Sequence, residues 1–163
     1  MCSYDSAIYE AEIAKDWLWL AGALSGKASA LVIQKKTENP AFLEFDSGVV
    51  ELMTRAHGEY TKTKMTNLEV EHSLIFAKYL ANFAKWRPRL MELLLYITKN
   101  DIKRMRKKEK GYLYLQLANI CQQACFMRKQ ACFLVFANEN LRASSLSTQS
   151  YQDNQHQLGR FIQ

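Results

Sequence analysis

Apolar residues recur along most of this chain at intervals of three and four, the spacing that keeps them on one side of a helix. Ile8, Ala11, Ile13 and Trp17, then Leu20, Leu24 and Leu31, follow that rule from about residue 4 to residue 36. The pattern predicts one long first helix, with Gly22 or Gly26 as the places where it would break. Small residues crowd its middle, from Ala21 and Gly22 through Ala28, Ser29 and Ala30, so another helix can approach its axis closely. Residues 37–46, which contain Asn39-Pro40, read as a loop. A short helix follows, capped by Asp46 or Ser47, with Val49, Val50, Leu52 and Met53 inside and Gly58 at its end.

Thr66 stands three residues before Glu69, the spacing of a capping box, and opens a helix that runs to Ala84. Trp86-Arg87-Pro88-Arg89 interrupts it. Pro88 suits the first turn of the next helix, where the N–H it lacks would have had no partner. Residues 90–97 are nearly all apolar and are expected to be buried. Met91, Leu95, Ile102 and Met105 extend one apolar stripe, while Lys99, Lys103, Arg106, Lys107 and Lys110 line another face, with Gly111 as the stop. Residues 112–139 form the last expected helix. No alternating strand pattern, hairpin turn or internal repeat interrupts the series. The expected fold is therefore all-α: a helical bundle of about five helices over residues 1–142, then a polar C-terminal tail over residues 143–163. Eleven of those last 21 residues are Ser, Thr, Gln or Asn, and Leu158, Phe161 and Ile162 are the apolar residues able to anchor them.

Composition changes this picture little. A chain of 163 residues can bury about 70% of the surface its unfolded form exposes. An apolar share of 48% with two prolines and six glycines excludes a disordered chain. The four cysteines come without a secretory signal and are read as reduced thiols in the cytoplasm. Residues 17–33 are apolar except for Ser25, Lys27 and Ser29, and Ala28-Ser29-Ala30 resembles a signal-peptidase site. Asp5, Glu10, Glu12 and Asp16 precede them against Lys15 alone, whereas a signal peptide begins basic. The stretch would rise only about 26 Å, with an ammonium near its middle, so it reads as a core helix and no membrane association is expected.

Charge changes it more. The net charge of +6 is concentrated: residues 85–110 hold ten basic residues against Glu92, Asp101 and Glu109, a net +7, and the rest of the chain sums to −1. The first 51 residues carry eight acids and four bases. An anionic partner at one place is implied. On a continuous helix residues 99–110 would span about 16 Å, the reach of four or five phosphates at about 3.4 Å each. Arg87 and Arg89 add to the cluster at the helix start, Lys108 belongs to the run, and Arg104 sits off the main stripe. Trp86 can stack on a base, although a Trp at a helix junction is more often core. With no helix-turn-helix, zinc finger or aromatic RNA-binding strand in view, the contact expected is to nucleic-acid backbone.

Catalytic and metal chemistry find little footing. Cys121, Cys125 and Cys132 would share one helical face, but Cys125 and Cys132 would stand about 10 Å apart along the axis and could not surround one ion. Glu69-Val-Glu-His72 contains the Glu-x-x-His element of di-iron bundles, which need two such elements and two further glutamates. His57 and His156 assemble no nucleophile–base set, and there is no glycine-rich phosphate loop. The expectation is a protein that is not an enzyme and carries no metal or cofactor.

In size, helicity and the one-sided basic face, residues 1–142 resemble the small subunit of CRISPR effector complexes. The resemblance implies a non-catalytic subunit lying along a filament of larger subunits, supporting guide–target duplex or the displaced single-stranded DNA. Other subunits and further copies of itself would be its protein partners. Some such subunits arise from an internal start in the large-subunit gene, an origin that a chain already helical by Tyr4 would suit. The acidic first helix and the polar tail lie outside the resemblance. The alternative is a helical-bundle adaptor whose basic helix meets an acidic protein surface, and a third reading sets the same face on anionic lipid.

Overall fold

The computed structural model describes residues 2–38 and 47–144, and these are 91% helical with no strand among them. The all-α expectation holds, with seven helices among the described residues in place of about five. They are α1 (Cys2–Ala14), α2 (Trp17–Glu38), α3 (Ser47–Thr63), α4 (Thr66–Ala81), α5 (Arg87–Tyr96), α6 (Lys107–Gln123) and α7 (Met127–Ala143). The expected cap Asp46 and nearly all of the polar tail lie outside the described residues.

The extra helices arise where the chain reverses without glycine. Ala11 O accepts from Asp16 N–H (3.1 Å) and Glu12 O from Lys15 N–H (3.3 Å), with Lys15 at φ 53°, so the end of α1 closes on its own carbonyls. Asp16 then caps α2, its Oδ1 accepting from Trp19 N–H at 3.0 Å. The same closure separates α6 from α7: Cys121 O accepts from Phe126 N–H (2.7 Å), Gln122 O from Cys125 N–H (3.0 Å), and Cys125 sits at φ 59°. Lys64, between α3 and α4, has φ 58°. Left-handed backbone costs a residue with a Cβ roughly 1–2 kcal/mol, and the satisfied carbonyls offset it.

The glycines expected to stop helices lie inside them instead. A helical glycine costs only about 1 kcal/mol relative to alanine, so tertiary packing can override it. At two of the four it does so visibly. A Cβ on Gly26 would stand 2.6 Å from the Tyr4 ring, and one on Gly111 would stand 2.7 Å from the Leu141 side chain. Gly22 and Gly58 have open space where a Cβ would go.

The chain divides into two compact units, Met1–Phe76 and Ala77–Gln163, with the boundary inside α4. In the first, Ala11, Leu20, Leu24 and Ala56 form a buried cluster with Ile8 and Leu52 packed on it, joining α1, α2 and α3. Ala21, Ala23 and Ala28 of the small-residue stretch are buried as well. Two of the three acids of α1 are matched locally: Lys27 Nζ lies 2.5 Å from Asp5 Oδ1, and Arg55 pairs with Glu12. In the second unit α6 and α7 form an antiparallel pair, with Tyr114 set 6.0 Å from Phe133 and 5.4 Å from Phe136 between ring centroids. Leu90, Leu93, Leu94 and Ile97 are buried, but Leu95 is 44% exposed, so residues 90–97 are not wholly interior. No helix among the described residues is long and apolar enough to cross a membrane.

Two glycine substitutions read this packing. Gly22→Ala should stabilise the protein by about 1 kcal/mol, because the helix gains propensity and the methyl meets nothing. Gly111→Ala should lose that gain and destabilise, because the methyl must displace Leu141. Denaturant unfolding of the two variants checks the contrast, and equal gains would mean that Leu141 does not rest on Gly111.

Candidate nucleic-acid interface

Beyond α5 the chain does not continue as one straight helix. Ile97–Asp101 winds a π turn, with Ile102 N–H donating to Ile97 O, and Ile102–Arg104 forms a 3₁₀ turn. Met105 and Arg106 are then extended, at ψ 155° and 158°, before α6 begins at Lys107. Burial explains the change of winding. Ile97, Asp101 and Ile102 are all interior, and an α-helical advance of about 100° per residue would carry Ile102 well away from Ile97. The wider turn returns it to the buried side. Thr98 Oγ1 donates to Leu94 O and Leu95 O (both 3.0 Å) and Asn100 Nδ2 to Tyr96 O (3.1 Å), satisfying carbonyls at the end of α5.

The expected single basic face on a helix over residues 99–110 is therefore corrected: the cations sit on a compact connection of changing winding. Lys99, Lys103, Arg104, Arg106, Lys107 and Lys108 are exposed, and Lys110 is half-buried. Of the two acids in the same run, Asp101 is fully buried, and the carboxylate of Glu109 accepts from Arg106 N–H at 3.0 Å. The outward field of the connection is thus positive. Arg106, at the cap position of α6, has only donors in its side chain and gives no acceptor to the first-turn N–H groups. The positive end of the α6 dipole adds to the lysines there.

Arg87 and Arg89 do not join this cluster. They stand towards the opposite end of α5, about 10–14 Å from its last residue by helical rise, and Arg89 pairs with Glu92 at 2.8 Å. Trp86 is half-buried in the 3₁₀ turn Ala84–Trp86 that precedes them.

The cysteines are also placed differently from the expectation of one face. The turn at Cys125 puts Cys121 on α6 and Cys132 on α7. Cys121 is buried, and burial pushes its thiol up to about 11, whereas Cys125 and Cys132 are exposed. Among the described residues no group of three or more His, Cys, Asp and Glu is placed to hold a metal ion.

One polar constellation has no linear signature beyond the run Glu69-x-x-His72-Ser73. In the first unit, His72 of α4 donates from Nε2 to Met53 O of α3 at 3.1 Å, which leaves Nδ1 to accept from Ser25 Oγ of α2 at 3.2 Å. Ser73 Oγ donates to Glu69 O (2.8 Å) and so accepts from His57 Nδ1–H of α3 (3.2 Å). The two imidazoles are nearly parallel, 6.2 Å apart. Burial holds the His72 imidazole below the usual histidine range, against the opposing pull of its bond to Met53. Glu69 is 1% exposed, so Glu69 and His72 of the di-iron-like element are both interior.

No protein-family model matches the chain, and neither a curated protein nor a solved structure matches it.

The histidine network carries a pH dependence of definite sign. The folded pKa of His72 is below its unfolded value of 6.5, so its contribution to stability is complete above that pH. It is lost as pH falls from 6.5 towards the folded pKa, because the unfolded chain takes up the proton first. Thermal melts between pH 7.5 and 5 should show this loss, and His72→Gln should be less stable at neutral pH but flatter with pH. A melting temperature that rises towards pH 5 would contradict the buried, neutral imidazole.

Proposed function

We propose that this protein is a non-catalytic, cytoplasmic, nucleic-acid-binding subunit of a larger ribonucleoprotein of the CRISPR-effector kind, holding phosphate backbone on the connection between α5 and α6. The observation that carries the reading is the exposed cluster of Lys99, Lys103, Arg106, Lys107 and Lys108, with Arg104 exposed beside them and the Glu109 carboxylate committed to a backbone N–H. The charge division between the units supports it. Met1–Phe76 holds seven basic and eleven acidic residues, and Ala77–Gln163 holds fifteen and five. Guanidinium and ammonium groups on a turning connection meet phosphates from several directions, which suits backbone contact better than base reading. Assembly with other subunits is supported by exposed apolar side chains, among them Tyr9, Ile13, Trp17 and Trp19 in the first unit and Met127 and Phe136 in the second.

Counterion release supplies the test. If Lys99, Lys103, Arg104, Arg106, Lys107 and Lys110 each neutralise one phosphate, the log–log slope of affinity against salt is about −4 for a single strand. Lys103→Glu with Lys107→Glu should weaken binding by a similar factor for every sequence tried. Folding should survive, because both side chains are exposed and an acid at the first position of α6 favours its dipole. Unchanged affinity of the charge-reversed assembly for guide or target strands would pass the lead to an adaptor with an acidic protein partner.

A further inference from the structure

The second unit contains a cleft of about 210 Å³ whose lining includes none of the exposed cations of the basic connection. Leu94 and Leu95 of α5 form one wall, and Tyr114 of α6 with Phe133 and Phe136 of α7 form the other. An apolar cavity of about 150 Å³ accepts a benzene ring, so this one has room for a ring and a short substituent. Tyr114 already stacks obliquely against both phenylalanines, and a further ring can extend that set through edge-to-face contacts.

The cleft is not purely apolar. Lys129 lines it, half-buried, and forms no ion pair among the described residues. Thr98 lines it too, but its hydroxyl proton is already given to the carbonyls of Leu94 and Leu95. Lys129 is thus the charged donor among the lining side chains, and the rings that share the lining select an aromatic body. A ligand that satisfies both carries a carboxylate on a short stem, so that the ring fills the cleft and the anion reaches Lys129.

We infer that the cleft between α5, α6 and α7 binds a small aromatic carboxylate of the phenylacetate type, with Lys129 holding the carboxylate. The inference does not rest on the proposed nucleic-acid surface, and either reading can fail without the other.

Cys132 lies in the lining and is exposed, so it reports occupancy directly, while exposed Cys125 in the α6–α7 turn serves as the internal control. The full-length protein is alkylated with iodoacetamide and followed peptide by peptide, with phenylacetate or its neutral isostere phenylacetamide present. Phenylacetate at about 5 mM should slow alkylation of Cys132 by about sixfold for a dissociation constant of about 1 mM, and leave Cys125 unchanged. Phenylacetamide should protect distinctly less. Lys129→Met should abolish the difference between the two ligands, and because Lys129 is half-buried on the surface the fold is expected to tolerate it. Absence of protection, equal slowing of both cysteines, or equal protection by the two ligands would overturn the inference. So would a Cys132 that reacts far more slowly than Cys125 without ligand, since the cleft would then be covered by the protein itself.

Discussion

Every helix in this chain must end with its last carbonyls satisfied, and the residues that do this without glycine decide where the elements lie. Lys15 and Cys125 each take a left-handed conformation so that two N–H groups can turn back onto the preceding turn. The reversal at Lys15 allows Ala11, Leu20 and Leu24 to meet in one cluster, which a continuous helix would string out along its length. The reversal at Cys125 brings α7 back along α6 and presses Leu141 onto Gly111. The steric cost at each turn is roughly 1–2 kcal/mol, and the core formed on closure is what makes the strained backbone tolerable.

The basic connection follows from a related requirement at the end of α5. Ile97, Asp101 and Ile102 all have to be interior, and only a widened turn places the three on one side. Lys99 between them, and Lys103, Arg104, Arg106, Lys107 and Lys108 after them, are left outside. The positive surface is therefore a by-product of how the apolar residues are buried, and its shape is that of a turn.

Polar burial in the first unit works in the opposite sense. Ser25, His57, His72 and Ser73 are drawn inward because each finds a partner on another helix. A buried imidazole without those bonds would cost several kcal/mol, so the network specifies the register of α2 and α3 on α4 while adding little net stability.

The linear pattern of three- and four-residue spacings determined the helical class, the burial of Leu20, Leu24, Leu90 and Leu94, the opening of α4 at Thr66 and the place of Pro88 in the first turn of α5. It also determined which run of residues is basic, since charge counts need no geometry. It misplaced helix ends at Gly26, Gly58 and Gly111, because glycine signals only a possible stop, and at Gly26 and Gly111 a packed side chain stands where a Cβ would go. Only the tertiary structure separated Arg87 and Arg89 from the other cations, divided the three cysteines between two helices and a turn, and paired His72 with Ser25. Those outcomes depend on which side chains meet across helices, and a periodicity reports which face is buried without saying what it is buried against.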